Sequence, residues 1–147
     1  MMKLPLVIVL DLLVLMGCAG LNKKISQRQG FNRPQNMQKF YKTKSVKPGE
    51  EFKGKASYYG PGFHGKLTAS GEVYDQNAMT CAHKTLPFQT KLLVTNLSNQ
   101  KSVEVVVTDR GPYKDDRILD LSVGAAKKIG LIEAGVAKVS AKIISDK

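Results

Sequence analysis

The stretch KLLVTNLSNQKSVEVVVTDRGP, residues 91–112, decides the fold class. Two runs rich in branched apolar residues, 91–97 and 102–108, flank Ser98-Asn99-Gln100-Lys101 and read as an antiparallel hairpin. The second run ends abruptly in Asp109-Arg110-Gly111-Pro112, which is turn chemistry. Outward from this hairpin the pattern stays short and β-like. Residues 53–59 alternate and stop at Gly60-Pro61-Gly62. Residues 136–144 set Val139, Ala141 and Ile143 on one face and Lys138, Ser140 and Lys142 on the other. A single short helix is predicted from Ser122 as N-cap through Ala125-Ala126-Lys127-Lys128, stopped by Gly130. Short strands, frequent turns and one helix make a mainly β domain, expected to be a small closed barrel.

The 147 residues leave room for one modest domain. Three regions are expected: a leader at 1–17, a basic flexible tether at 18–52 and the folded domain at 53–147. The net charge of +11 is unevenly spread. Residues 19–55 hold ten Lys or Arg against Glu50 and Glu51, whereas residues 56–147 hold twelve against nine acidic residues. The excess therefore sits in the tether, which reads as a solvated basic linker able to brush anionic lipid or wall polymer. It has no arginine cluster or helical stripe, so no nucleic-acid partner is expected. Lys3, the apolar stretch at 4–16 and the small residues around Cys18 read as an export signal, too short to span a bilayer. Cys18 and Cys81 are the only cysteines. No disulfide framework is expected, and Cys81 reads as a small core residue. No His/Cys set has metal spacing, so neither metal nor cofactor is expected. Nothing suggests an oligomer.

Chemistry concentrates in three segments, residues 65–75, 82–87 and 108–113. Asp109 is the most telling residue, because a carboxylate closing an apolar strand is held on a rigid scaffold at the rim of a core. Its bland alternative is to cap the Arg110-Gly111-Pro112 turn through its side chain. Glu72 reads as an active carboxylate or a solvated turn residue, and His83 as a site residue or a hydrogen-bonded core histidine. Tyr58, Tyr59 and Tyr74 read equally as a ring-stacking platform for a ligand or as core. Asp120 is expected to anchor loop amides or pair with Arg117, and His64 to lie exposed.

Ala56-Ser57-Tyr58-Tyr59-Gly60, Gly71-Glu72-Val73-Tyr74-Asp75, Ala78-Met79-Thr80, Ala82-His83-Lys84-Thr85-Leu86-Pro87, Val94-Thr95-Asn96-Leu97, Asp109-Arg110-Gly111-Pro112 and Ile118-Leu119-Asp120-Leu121-Ser122 occur in one order, with Ala125-Ala126 after them. Together they resemble the rare lipoprotein A family. The resemblance implies a six-stranded double-psi β-barrel and lytic transglycosylase activity on peptidoglycan glycan strands, preferably free of stem peptides. It implies Asp109, Glu72 and His83 as catalytic residues, with Tyr58, Tyr59, Thr68, Tyr74 and Arg110 as candidate substrate contacts. Asp109 is the expected acid, returning as base, with Glu72 beside it. The alternative is a non-catalytic, expansin-like glycan-binding lipoprotein. Leu15-Met16-Gly17-Cys18 likewise resembles a bacterial lipobox, implying lipid attachment at Cys18, and Ala19 after it implies the outer membrane, facing the periplasm. Tyr58 stands where the family usually has Trp. Gln89 stands where it usually has Gly, and Asn99-Gln100 replaces the Asn-Gly of a tight hairpin. Many members continue into a glycan-binding repeat domain; the sequence stops at Lys147, so septal recruitment is not implied.

Overall fold

The computed structural model describes residues 41–145. The leader, Cys18 and most of the tether lie outside the described residues. Six strands form in chain order: β1 (Glu51–Tyr58), β2 (Thr80–Ala82), β3 (Lys91–Asn96), β4 (Ser102–Asp109), β5 (Arg117–Leu121) and β6 (Ala137–Ser145), with α1 (Val123–Lys128) between the last two. They close into a barrel in the order β1-β5-β2-β4-β3-β6. The β1–β5 and β2–β4 pairs are parallel, and the remaining four neighbours are antiparallel. Closure leaves no unpaired sheet edge to manage.

The alternation read from the sequence builds the interior. Leu92 and Val94 of β3, Val103, Val105 and Val107 of β4, and Val139, Ala141 and Ile143 of β6 are all buried. Ser140 departs from the expected outward face. It is also buried, and its hydroxyl donates to Glu51 Oε1 at 2.6 Å, which satisfies it at the β1–β6 seam. Cys81 is a buried free thiol in this core, and burial pushes its pKa upward. Two strands escape periodicity. Strand β2 is three residues long, and β5 carries Arg117 and Asp120 among its apolar positions.

Helix α1 begins where the sequence places it. Ser122 Oγ accepts from Ala125 N at 3.1 Å, the expected N-cap bond. At the other end, the carbonyl of the cap residue Ile129 accepts from Asn96 Nδ2 at 2.9 Å and Asn99 Nδ2 at 3.0 Å. The β3–β4 turn thereby satisfies a helix end that would otherwise leave carbonyls orphaned. Ahead of β1, Tyr41 and Val46 pack against the core, and Lys44 N donates to Thr85 O at 2.9 Å. Their apolar side chains account for this: they have a barrel surface to cover.

Candidate active site at the end of strand β4

The candidate residues gather around the C-terminal end of β4. Asp109, its last residue, is half-buried, and both carboxylate oxygens are engaged. Oδ1 accepts from the backbone N–H of Ala69 and of Arg110, each at 2.8 Å. Oδ2 accepts from the Tyr59 hydroxyl at 2.7 Å. The turn-capping role and the site role coincide: the bond to Arg110 N caps the turn, while Ala69 and Tyr59 orient the carboxylate from elsewhere. Burial, then the Asp109 charge, push the Tyr59 phenol well above its ordinary pKa, so it stays a neutral donor. Its ring packs at 4.7 Å on Tyr74 and 5.5 Å on Phe63.

The loop that supplies Ala69 also carries Glu72. It folds back on itself through a Leu67–Val73 bridge and bonds from Thr68 N and Thr68 Oγ1 to Glu72 O. Ser70 N donates to Thr108 O at 3.1 Å, which docks the loop on β4. The Glu72 carboxylate accepts from Gln89 Nε2 at 2.9 Å. Thr68, a candidate substrate contact, is buried, and its hydroxyl is used inside this loop.

His83 follows β2, and its N–H donates to Asp109 O at 3.2 Å. Its ring makes no hydrogen bond to either carboxylate among the described residues. Nδ1 accepts from Thr85 N at 3.1 Å and Leu86 N at 2.9 Å, and the ring meets Phe52 edge-on at 5.5 Å. That bonding puts the ring proton on Nε2. Burial, helped by Arg110, Lys44 and Lys84, lowers the His83 pKa from 6.5 to about 4. The unfolded chain therefore binds the proton first as pH falls. Stability contributed here is complete above about pH 6.5 and is lost as pH drops to about 4, by roughly 2–3 kcal/mol. Thermal melts between pH 7 and 4 check this. His83→Asn, which keeps an acceptor for the two amides, is expected to flatten the dependence.

The other candidates divide. Tyr74 is buried, and Tyr58 packs on the core with its hydroxyl donating to Ile132 O at 3.3 Å. Of the three tyrosines, Tyr59 alone reaches Asp109. Arg110 is only 7% exposed, with its guanidinium 3.8 Å from the Phe88 ring centroid and 5.0 Å from that of Tyr41. A cavity of about 440 Å³, lined by Tyr41, Lys84, Arg110 and Tyr113 among others, lies beside this turn and does not include Asp109. Asp120 pairs with Arg117 at 3.5 Å, and its Oδ1 also accepts from Ser57 Oγ at 2.6 Å. His64 is exposed. Among the described residues, no group of three or more His, Cys, Asp or Glu could hold a metal ion. Sequence reading missed the Tyr59–Asp109 and Gln89–Glu72 bonds, whose partners lie 50 and 17 residues apart.

A family profile described as "Lytic transglycolase" matches residues 51–141. An endolytic peptidoglycan transglycosylase RlpA of Campylobacter jejuni is 55% identical over 106 residues, covering 72% of this chain and 38% of that protein. The protein of the same name in Vibrio cholerae is 49% identical over 117 residues, covering 79% and 44%. The chain thus spans less than half the length of these relatives. Among solved structures, a Streptomyces papain inhibitor superposes with a TM-score of 0.57 at 23% identity, covering 69% of this chain and all of that one. An expansin of Clavibacter michiganensis does so with 0.53 at 23%, covering 67% and 52%. These likenesses concern the fold alone. With a matching profile over most of its described residues and a closed six-stranded double-psi barrel, the chain belongs to the lytic transglycolase family.

Proposed function

We propose that this protein cleaves the β-1,4 bond between N-acetylmuramic acid and N-acetylglucosamine in peptidoglycan, without water, leaving 1,6-anhydro ends. The observation that carries the reading is the oriented Asp109 carboxylate at the rim of the barrel. Two backbone amides hold Oδ1 as an acceptor, whereas the partner of Oδ2 is the Tyr59 hydroxyl, which can turn from donor to acceptor, so Oδ2 is the oxygen that can carry a proton. Protonated Asp109 gives that proton to the leaving O4 as the C1–O4 bond breaks. The C6 hydroxyl of the muramyl sugar bonds to C1 through its oxygen and returns its proton to Asp109. Atoms balance with one residue serving in both directions, and no water is consumed. Glu72, on the loop that Asp109 itself pins, supplies a second carboxylate near the developing positive charge. His83, neutral at physiological pH, shapes the turn behind Asp109. The relatives' names support the same chemistry.

The test is mass spectrometry of soluble products after incubating the full-length protein with amidase-stripped peptidoglycan. Anhydro-muramyl ends support the reading, and reducing ends would replace it with hydrolysis. Retention on sacculi with no soluble product would replace it with a glycan-binding module. Faster release from stripped than from intact peptidoglycan is expected for a protein that prefers peptide-free strands. The lipobox-like residues 15–18 support lipid attachment at Cys18, and Ala19 after them supports the outer membrane as its destination. Cys18→Ser is therefore expected to leave the membrane fraction on sedimentation, and equal sedimentation of the variant would remove the anchor from the account.

A further inference from the structure

We infer that Gln89 is a positioning residue that holds the Glu72 carboxylate in place; this rests on the activity proposed above and extends it to a residue with no direct part in the chemistry. Gln89 sits in the turn after Leu86-Pro87, where Thr90 N donates back to Pro87 O at 3.3 Å. Its φ is 72°, in the left-handed region where glycine is comfortable and a side chain costs energy. A turn of this kind places glycine at that position by preference. The chain instead spends a long amide there. The side chain is exposed, so packing does not explain it.

What it does contact is Glu72. Gln89 Nε2 donates to Oε1 at 2.9 Å, and among the described residues this is the hydrogen bond made to that carboxylate. The backbone geometry makes the reach dependable. Gln89 N donates to Val107 O at 2.9 Å, one step along β4 from Thr108 O, which accepts from Ser70 of the Glu72 loop. Both loops are thus moored to adjacent residues of the strand that ends in Asp109, and Gln89 ties them across the top. A glutamate on a looped hairpin has several free torsions. An amide donor fixed to the barrel restricts them and keeps the carboxylate beside the reacting bond.

The experiment compares Gln89→Gly, Gln89→Lys and Gln100→Gly in the full-length protein on stripped peptidoglycan, with kcat, KM and melting temperature measured for each. Gln100 has a φ of 61° in the β3–β4 turn, remote from the site, and its Nε2 donates to Leu97 O at 3.0 Å, so it controls for backbone relief together with the loss of one amide bond away from Glu72. Both glycine variants are expected to melt no lower than the native protein. Gln89→Gly should lose about three- to tenfold in kcat/KM, chiefly in kcat, whereas Gln100→Gly should keep native turnover. Gln89→Lys restores a donor of similar reach and should recover most of the loss. In a Glu72→Ala background, Gln89→Gly should change nothing further. Native kcat/KM in Gln89→Gly, or an equal loss in the Glu72→Ala background, would overturn the inference while leaving the cleavage reading intact. Failure of the native protein to release anhydro ends in the first arm overturns that reading, and the inference with it.

Discussion

Asp109→Asn is expected to lower the rate of anhydro-end release by about 10³-fold, the scale of a lost general acid–base group, with the barrel still folded. The two parts of this expectation come from different atoms. Asparagine keeps an oxygen that can accept from Ala69 N and Arg110 N, as Oδ1 does now. Its amide nitrogen would face the Tyr59 hydroxyl, which can turn and accept where it now donates. The loop carrying Glu72 therefore remains moored, and the variant's melting temperature should stay within a few degrees of native. The proton on Oδ2 is gone, however, and neither His83 nor Tyr59 replaces it. His83 uses Nδ1 for two backbone amides, and Tyr59 holds its proton firmly. Product release measured by mass spectrometry, beside a melt of the same sample, checks both halves. Undiminished release from a folded Asp109→Asn protein would remove Asp109 from the centre of the mechanism.

The second large effect concerns folding. Gly124 is the second residue of α1, and helix propensity alone would favour alanine there by about 1 kcal/mol. Tertiary structure reverses the sign. A Cβ on Gly124 would lie 2.6 Å from the Asn77 carbonyl oxygen and 2.8 Å from Met79 Cε. The methionine end can move, but the carbonyl belongs to the segment that enters β2. Gly124 N also donates to Gln76 O at 2.8 Å, so the helix start and that segment are bonded at close range. Gly124→Ala is expected to cost about 2–3 kcal/mol through overpacking, lowering the melting temperature by on the order of 10–20 °C. A melt at or above the native temperature would show that the 76–79 segment yields easily. Because β2 precedes His83, the variant should lose activity only in step with its folding.

Much of the architecture was legible because it is encoded among near neighbours. The β3–β4 hairpin, the alternation of β6 and the Ser122 cap each depend on residues a few positions apart, where side-chain period and turn chemistry act directly. The ordered motifs also named Asp109, Glu72 and His83. Their surroundings were not legible. Strand β2 has three residues and no period to read; it exists because β4 and β5 hydrogen-bond to it from both sides. The roles of the tyrosines were open in sequence, since an aromatic suits a core and a sugar platform equally. Only assembly separated Tyr59, on the Asp109 carboxylate, from Tyr58 and Tyr74 in the packing.

The sequence, then, specified a β-rich domain, its principal hairpin, its helix start and the chemical groups available at the end of β4. Tertiary structure decided the order in which the strands close, the bonds that hold the His83 ring, the donors that orient Asp109 and the tie from Gln89 to Glu72. The division has one physical cause. Local pattern lowers the free energy of a segment by itself, whereas contacts between residues 17 to 50 apart exist only after the loops between them have closed. A glutamine with a positive φ looks like a misplaced glycine until the fold brings Glu72 within reach of its amide.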